Sequence, residues 1–331
     1  MRLKIAAVLA VTAACLVWVL WGIDLGVVRQ SLGEFRWGWM VVVFLIYCLA
    51  HALRVFRLRA ILGVHVPFWR LMSILSIGYL AIHVVPLRMG EFVRPALLAE
   101  KERVPFGAGL AAIFVERLVD MLMLLGMMLL VGFAVDLPEG RVVVGGIDVL
   151  LAGQRAVGVV VGGGLVGLLG LLVVPLSLVQ RIDGLLHFTF LERFREGILG
   201  LARRPLVFAG VVGSSAFIWG ITVVAVYVTL LAFPGLPASP GNALFLWAVT
   251  LAGMTAAPTP GFFGAFEGFC TAALSLLGAD GDRSRTFAVI LHLGQFLFTV
   301  GTGLLFLLYE GVSLREVVGR SRAAASPGEQ R

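Results

Sequence analysis

Seven charged side chains interrupt apolar stretches of this sequence that otherwise carry almost no charge. They are Arg88, Glu91, Arg94, Glu116, Arg117, Asp120 and Glu267. A charge at the centre of a bilayer costs about 2.5–3.5 kcal/mol on insertion scales, so such residues usually have partners and a function. Guanidinium groups bind phosphate through paired hydrogen bonds, and nearby carboxylates can hold the guanidinium groups or exchange protons. This set therefore indicates anion recognition inside a membrane.

The spacing of these residues indicates which of them share a helix face, and their chemistry suggests their roles. Glu91 and Arg94 are three residues apart, as are Arg117 and Asp120, and Glu116 and Asp120 are four apart. Each pair therefore shares a face if its segment is helical. We predict that a lipid headgroup or phosphate is bound by Arg88, Glu91, Arg94, Arg117 and Glu267. An orienting or proton-coupling role is predicted for Glu116, Asp120, His83 and His292. The alternative is internal ion pairing that only fixes one helix to another, with hydrogen-bonded histidines in the packing.

The segments that carry these charges are long enough to cross a bilayer. Of the 331 residues, 60% are hydrophobic and 14% are charged, which lies outside the usual composition of soluble domains. A spanning helix needs roughly 20 apolar residues. Ile5–Ile23, Ala156–Gln180 and Leu206–Phe233 contain no charged residue. The start of the chain resembles a signal peptide but continues without a good cleavage site, so we predict a retained first span.

Other classes of function have little support in the sequence. The net charge of +7 comes from residues that flank apolar segments, so we predict no nucleic-acid partner. Cys15, Cys48 and Cys270 lie in apolar stretches at unrelated spacings, and we predict no disulfide, metal site or cofactor. Asp280-Gly-Asp282 is similar to the acidic pair of some glycosyltransferases, but the same residues are ordinary in a turn.

The arginines predict a segment that enters the membrane and returns to the same side. Arg54–Arg70 holds four arginines and no acid, which indicates the cytoplasm. If Leu71–Leu87 crossed, the five arginines of Arg181–Arg204 would lie outside. The conflict disappears if this segment breaks at Pro86–Gly90 and returns by Lys101, because Pro interrupts a helix and Gly permits a sharp turn.

A second segment is predicted to do the same from the other side. Asn242–Ala257 enters from outside, breaks at Pro258–Gly264 and returns by Gly278. The residues predicted to form the two breaks are Pro86, Gly90, Pro258, Pro260, Gly261 and Gly264. The complete spans are Ile5–Ile23, Trp37–Leu53, Phe106–Val135, Ala156–Gln180, Leu206–Phe233 and Thr286–Tyr309. This layout places 17 Lys and Arg in the cytoplasm, 6 outside and 3 within membrane elements.

The predicted fold class is therefore an all-α polytopic membrane protein, with six full transmembrane helices plus two re-entrant helical hairpins arranged as an inverted repeat. The repeat halves are residues 1–135 and 156–310 of a single transmembrane domain. Inverted repeats with discontinuous helices are typical of transporters, whose sites lie near the midplane. Two ordinary kinks are the alternative. Both termini are predicted to be cytoplasmic, with a disordered tail over 311–331, and Arg181–Arg204 to form an interfacial helix or a solvated loop.

Three motifs in this order resemble a known family. They are Pro86-x-Arg88-x-Gly90-Glu91-x-x-Arg94, Glu116-Arg117-x-x-Asp120 and Pro258-x-Pro260-Gly261-x-x-Gly264-x-x-Glu267. The chain resembles the lysylphosphatidylglycerol synthase transmembrane, or flippase-like, family over about residues 5–310. One departure is Phe262, where the family often keeps a small residue.

The resemblance implies translocation of a lipid between the two leaflets of a membrane and does not fix the lipid. From the arginines we expect an anionic or phosphate-bearing lipid that moves through a polar crevice between the two hairpins, in the cytoplasmic (inner) membrane. One alternative is a membrane transferase acting on a polyprenyl phosphate or phospholipid, for which Asp280 and Asp282 are the candidate residues. Another is a non-catalytic scaffold whose partner is a lipid-modifying enzyme. The sequence leaves the lipid, the energy source and the oligomeric state open.

Overall fold

The computed structural model describes residues 24–84, 90–134, 190–256 and 259–311, together with two short strands and isolated positions elsewhere. Several predicted features lie outside the described residues. These are the span Ile5–Ile23, most of Ala156–Gln180, the break residues Pro86 and Pro258, the headgroup residue Arg88, and nearly all of the tail 311–331.

The first part of the described chain is helical. Its helices are α1 (Leu25–Glu34), α2 (Gly38–Leu62), α3 (Phe68–Val84), α4 (Val93–Glu102) and α5 (Phe106–Ala134). Asp24 caps α1 by accepting a hydrogen bond from the amide of Gly26 at 2.7 Å. Two antiparallel two-residue strands follow, β1 (Val143–Val144) and β2 (Ile147–Asp148).

The second part repeats the helical order of the first. Its helices are α6 (Phe190–Ala202), α7 (Pro205–Ala232), α8 (Pro240–Ala256), α9 (Ala265–Leu276) and α10 (Gly281–Glu310), with a 3-10 turn over Pro260–Phe262 between α8 and α9. The lengths also correspond. The series α2 to α5 has 25, 17, 10 and 29 residues, and the series α7 to α10 has 28, 17, 12 and 30. Each series is a long helix, a broken pair and a long helix.

Three helices of the described chain are long and apolar enough to cross a membrane. They are α2, α7 and α10. Helix α5 is also long, at 29 residues, but carries Glu116, Arg117 and Asp120. The apolar, helical character that the sequence predicts is confirmed. The number of full spans and the placement of the two broken pairs within a bilayer stay predictions.

The chain forms two compact units. Unit 1 contains residues 1–50, 121–160 and 218–298, and unit 2 contains 51–120, 161–217 and 299–331. Helices α2, α5, α7 and α10 contribute residues to both. Unit 1 contains the whole of the broken pair α8 and α9, and unit 2 the whole of α3 and α4, so each unit has one broken pair.

Both broken pairs fold back on themselves, as their glycines show. A Cβ on Gly90 would lie 2.3 Å from the backbone carbon of Ala81, so the returning chain touches the backbone of α3. A Cβ on Gly253 would lie 2.0 Å from the ring of Phe269, so α8 and α9 also pack closely. The pairs are therefore helical hairpins. We call α3 with α4 hairpin 1, and α8 with α9 hairpin 2.

The two ends of hairpin 1 lie together. Arg70, near the start of α3, bonds Glu102 at the end of α4 with 3.0 Å between Nη1 and Oε1. Lys101 pairs with Glu310, which also accepts a hydrogen bond from Ser73 at 2.7 Å. The end of hairpin 1 therefore lies beside its beginning. Its return to the cytoplasmic face by Lys101 stays a prediction.

Unit 1 brings together segments that are predicted to lie on the external side of the membrane. Arg283 reaches Glu34 at 3.8 Å and donates to the carbonyl of Pro234 at 3.3 Å. The amide of Arg36 donates to the carbonyl of Ala232. Segments that the charge pattern assigns to one side therefore meet in the fold.

Helix α2 extends beyond the predicted span Trp37–Leu53. It begins at Gly38 and continues to Leu62, so the first arginines of Arg54–Arg70 lie on the helix. The helix persists because Arg57 is 2% exposed and has buried acidic partners, so the charge does not require solvent. The helix ends before Gly63, which adopts a left-handed φ of 65°.

Candidate functional site

An ion network in unit 2 joins helices that are distant in sequence. Arg57 on α2 donates to Asp120 at 2.7 Å and to Ser215 on α7 at 2.9 Å, both through Nη1. Its Nη2 lies 3.4 Å from Glu116. Arg117 reaches Asp120 at 3.2 Å, as its i, i+3 spacing predicts. The network therefore fixes α2, α5 and α7 to one another.

Arg94 on hairpin 1 extends this network. Its Nη1 donates to Glu116 at 2.7 Å, and both side chains are fully buried. The guanidinium carbon lies 5.3 Å from the centre of the Tyr79 ring, within the range of a cation–π contact. A Cβ on Gly78 would lie 2.1 Å from Cγ of Arg94, so the arginine stem lies directly on the backbone of α3.

One edge of the Arg94 guanidinium makes no hydrogen bond with the described chain. Its Nε and Nη2 are buried and unpaired there. These two nitrogens form one side of the planar group, and that side binds two oxygens of a phosphate or carboxylate in parallel. An unmade buried hydrogen bond costs about 1–3 kcal/mol, and two parallel donors without a partner in the described chain have the geometry to bind an oxyanion.

Charge in the cluster is closely matched. Arg57, Arg94 and Arg117 face Glu116 and Asp120 in direct contact, and Glu91 is near enough to interact electrostatically with Arg117. Glu91 lies in a short 3-10 turn over residues 90–92 and is partly exposed. Arg94 therefore finds its carboxylate partner on α5 and not at the predicted helical neighbour.

A second cluster lies at the break of hairpin 2. Nδ1 of His292 on α10 is 2.6 Å from Oε1 of Glu267, and Nε2 is 3.0 Å from the carbonyl oxygen of Gly261. Oε2 of Glu267 accepts a hydrogen bond from the amide of Gly264 at 2.7 Å. Both side chains are at most 4% exposed. These contacts join the predicted residues Glu267 and His292.

Aromatic rings enclose this second cluster. The His292 ring stacks on Phe266 with 4.4 Å between centroids and 10° between planes. Phe263 lies 4.8 Å from it at 49°. The break also contains Phe262 at φ 64°, a left-handed conformation that costs a non-glycine residue roughly 1–2 kcal/mol. Glycine at this position would avoid this cost, because it has no Cβ.

The remaining candidates bond to groups close to them in the sequence. His83 bonds the carbonyl of Tyr79 within its own helix at 2.8 Å. Asp280 accepts from the amides of Asp282 and Arg283, so it caps α10. The described chain contains no group of three or more His, Cys, Asp or Glu that could hold a metal.

A cavity of about 340 Å³ opens where the basic segments of unit 2 meet. Its lining is largely apolar, with Arg103, Arg193 and Arg204 among the basic residues. Helix α6 forms one wall and lies within Arg181–Arg204, where the sequence predicts an interfacial helix or a solvated loop. Its place at a membrane interface stays a prediction. The part of that prediction before residue 190 lies outside the described residues.

Comparison with known proteins decides the family. The model of the lysylphosphatidylglycerol synthase TM region matches residues 5–303. The chain belongs to this family. It is therefore a membrane protein, and the resemblance carried by the three sequence motifs is confirmed.

One relative of this protein is named as an enzyme. Glycosyltransferase AglD from Haloferax volcanii is 27% identical over 359 aligned positions. The match covers 97% of the chain and 56% of the relative, so the chain spans just over half the length of that protein. No solved structure matches the chain.

The lysylphosphatidylglycerol synthase TM motifs therefore divide between two places. Arg94, Glu116, Arg117 and Asp120 meet in unit 2, and Glu267 with His292 forms the cluster of unit 1. Arg57 and Ser215 are site residues that sequence reasoning missed. The sequence did contain a signal for Arg57. It is an arginine near the end of an apolar helix, and no acidic residue lies near it in the sequence.

Proposed function

We propose that this protein moves a phosphate-bearing lipid between the two leaflets of its membrane, and that Arg94 binds the phosphate. The Nε and Nη2 edge of Arg94, beside the break of hairpin 1, has no hydrogen-bond partner among the described residues, and this observation carries the proposal. Membership in a family of membrane regions named for a lipid synthase agrees with a lipid substrate.

The surroundings of Arg94 suit such a role. Glu116 holds Nη1 and Tyr79 supports the face of the guanidinium, so the opposite edge has a fixed direction. Glu116 is itself shared with Arg57, and this limits its movement. A binding group held in this way loses little conformational freedom when the ligand arrives.

The buried position of Arg94 requires movement for transport. The guanidinium is fully buried, so hairpin 1 must open for a headgroup to reach it. The acyl chains remain in the bilayer while the phosphate exchanges water for the arginine. Arg88, which lies outside the described residues, and Glu91 would be further headgroup ligands, as the sequence predicts.

A flipping assay on reconstituted protein tests this proposal. Arg94→Lys keeps the positive charge that Glu116 needs but removes the two-donor edge, so folding should survive and flipping should fall at least tenfold. Arg70→Lys is the matched control, because Arg70 is 60% exposed and pairs only at the surface. Equal flipping by wild type and Arg94→Lys would reject the role of Arg94.

A membrane transferase is the second candidate, and the name of the Haloferax volcanii relative favours it. The chain matches 56% of that protein, so the rest of the relative has no counterpart in the match. Asp280 and Asp282 are engaged in capping and pairing at the start of α10, and this argues against a free acidic pair. Purified protein that transfers a sugar or other group to lipid, without net lipid movement, would favour the transferase.

A further inference from the structure

The hydrogen bonds around His292 determine how many protons the Glu267–His292 pair holds. Nε2 faces the carbonyl of Gly261, which can only accept, so Nε2 must carry a hydrogen. Nδ1 faces Oε1 of Glu267 at 2.6 Å, a distance that requires one proton between the two atoms. The proton lies on the carboxyl or on the imidazole, and the pair has no net charge in either case.

We propose that Glu267 of hairpin 2 and His292 of α10 form a binding site for one proton, and that this proton holds the break of hairpin 2 closed. With the proton present, His292 binds the carbonyl of Gly261 and Glu267 binds the amide of Gly264. These two bonds lie on either side of Phe262, whose left-handed backbone is the strained point of the break. The pair therefore clamps a turn that is unfavourable by itself.

We call the bonds from His292 to Gly261 and from Gly264 to Glu267 the clamp. Loss of the proton removes the first of these two bonds. The carboxylate then attracts the remaining imidazole hydrogen to Nδ1, because a charge-assisted hydrogen bond is stronger than one to a neutral carbonyl. Nε2 becomes an acceptor and faces another acceptor at Gly261. That contact is repulsive, so the Gly261 carbonyl separates from His292 and Phe262 can leave its strained conformation.

Other charged groups are distant along the elements that surround the pair. Hairpin 2 contains Glu267 and Cys270 as its ionisable side chains, and Cys270 is buried and bonded to Thr250. On α10, the nearest charged residue before His292 is Arg285, seven residues away, or about 10 Å along a helix. The parts of α2, α5 and α7 that belong to unit 1 carry no Asp, Glu, Lys, Arg or His. The other titratable residues of those parts are Tyr47, Cys48 and Tyr227.

Nitrogen NMR of histidine-labelled full-length protein in lipid nanodiscs tests the site. The chain has five histidines, so a His292→Gln variant identifies the signals of His292. At the acidic end of a pH titration, Nε2 should carry hydrogen and Nδ1 should share a proton. As the pH rises, the signals should change to those of the Nδ1–H tautomer.

A Glu267→Gln variant gives the decisive comparison. Its amide nitrogen donates to Nδ1 and its oxygen accepts from Gly264, so it imitates the protonated acid at every pH. His292 should then keep hydrogen on Nε2 throughout, whereas the control Glu196→Gln, an exposed acid on α6, should titrate as the wild type does. His292 signals that do not change with pH in the wild type, or that change equally in Glu267→Gln, would overturn the proposal.

Hydrogen exchange of the break gives a second readout. After correction for the intrinsic pH dependence, exchange of the Phe262 amide should rise at least tenfold in the wild type across the titration and stay unchanged in Glu267→Gln. Equal behaviour of the two proteins would overturn the clamp. Coupling of this proton to lipid movement rests on the proposed function, but neither measurement uses lipid transport. A negative result in these two measurements would therefore reject the proton site and leave the transport proposal untouched. A negative flipping assay would reject the transport proposal and leave the proton site untouched.

Discussion

Arg57 and Asp120 form a buried ion pair with 2.7 Å between Nη1 and Oδ1, although 63 residues separate them in the chain. The arginine side chain is fully buried and the aspartate is 8% exposed. The pair joins α2 to α5, and Ser215 extends the connection to α7. Because Glu116 bridges Arg57 and Arg94, the same network supports the proposed phosphate site.

Removal of Arg57 should strongly destabilise the protein. Arg57→Ala leaves Glu116 and Asp120 buried with fewer partners, and breaking a buried ion pair in this way costs about 3–5 kcal/mol. The free energy of unfolding in mixed detergent measures the effect. Arg70→Ala removes an exposed arginine from a surface pair and should cost about 0–1 kcal/mol. Similar losses for the two variants would contradict the structural role of Arg57.

Substitution of Gly78 should displace Arg94 without removing it. The Cβ of Gly78→Ala would lie 2.1 Å from Cγ of Arg94, so the arginine must leave its position on α3. Flipping should fall to the level of Arg94→Lys, and overpacking should cost about 1–3 kcal/mol. Gly213→Ala in α7 meets no atom within 4 Å and should transport normally. Normal flipping by Gly78→Ala would show that the position of Arg94 does not matter.

Cysteine accessibility in vesicles should place both ends of hairpin 1 on one face. In a background without the native cysteines, Arg70→Cys and Arg103→Cys should react with an impermeant reagent from the cytoplasmic side. Glu34→Cys should react from the opposite side, because Glu34 meets the segments predicted to be external. Labelling of positions 70 and 103 from different sides would refute the return of this hairpin.

The helical elements of the described chain were largely predictable from the sequence. Runs of apolar residues set α7 and α10, and Pro and Gly marked the places where each hairpin turns. The end of α2 was not predictable, because Arg54 and Arg57 look like the start of a loop. Only the fold shows that Arg57 has buried acidic partners 59 and 63 residues away.

The pairing of the site residues was less predictable than their identity. Helical spacing gave the Arg117–Asp120 contact correctly, since both residues lie on one helix. It also suggested Glu91 beside Arg94, but the chain at residues 90–92 is a 3-10 turn and Arg94 binds Glu116. The contact of Glu267 with His292 depends on how α9 packs on α10, which no local pattern encodes.

The most direct test of the account is an experimental structure in nanodiscs that contain an anionic phospholipid. We expect density for a lipid phosphate within hydrogen-bonding distance of Nε and Nη2 of Arg94, beside the break of hairpin 1. A structure in which both nitrogens donate only to protein groups, with no lipid at the break, would contradict the proposed phosphate site.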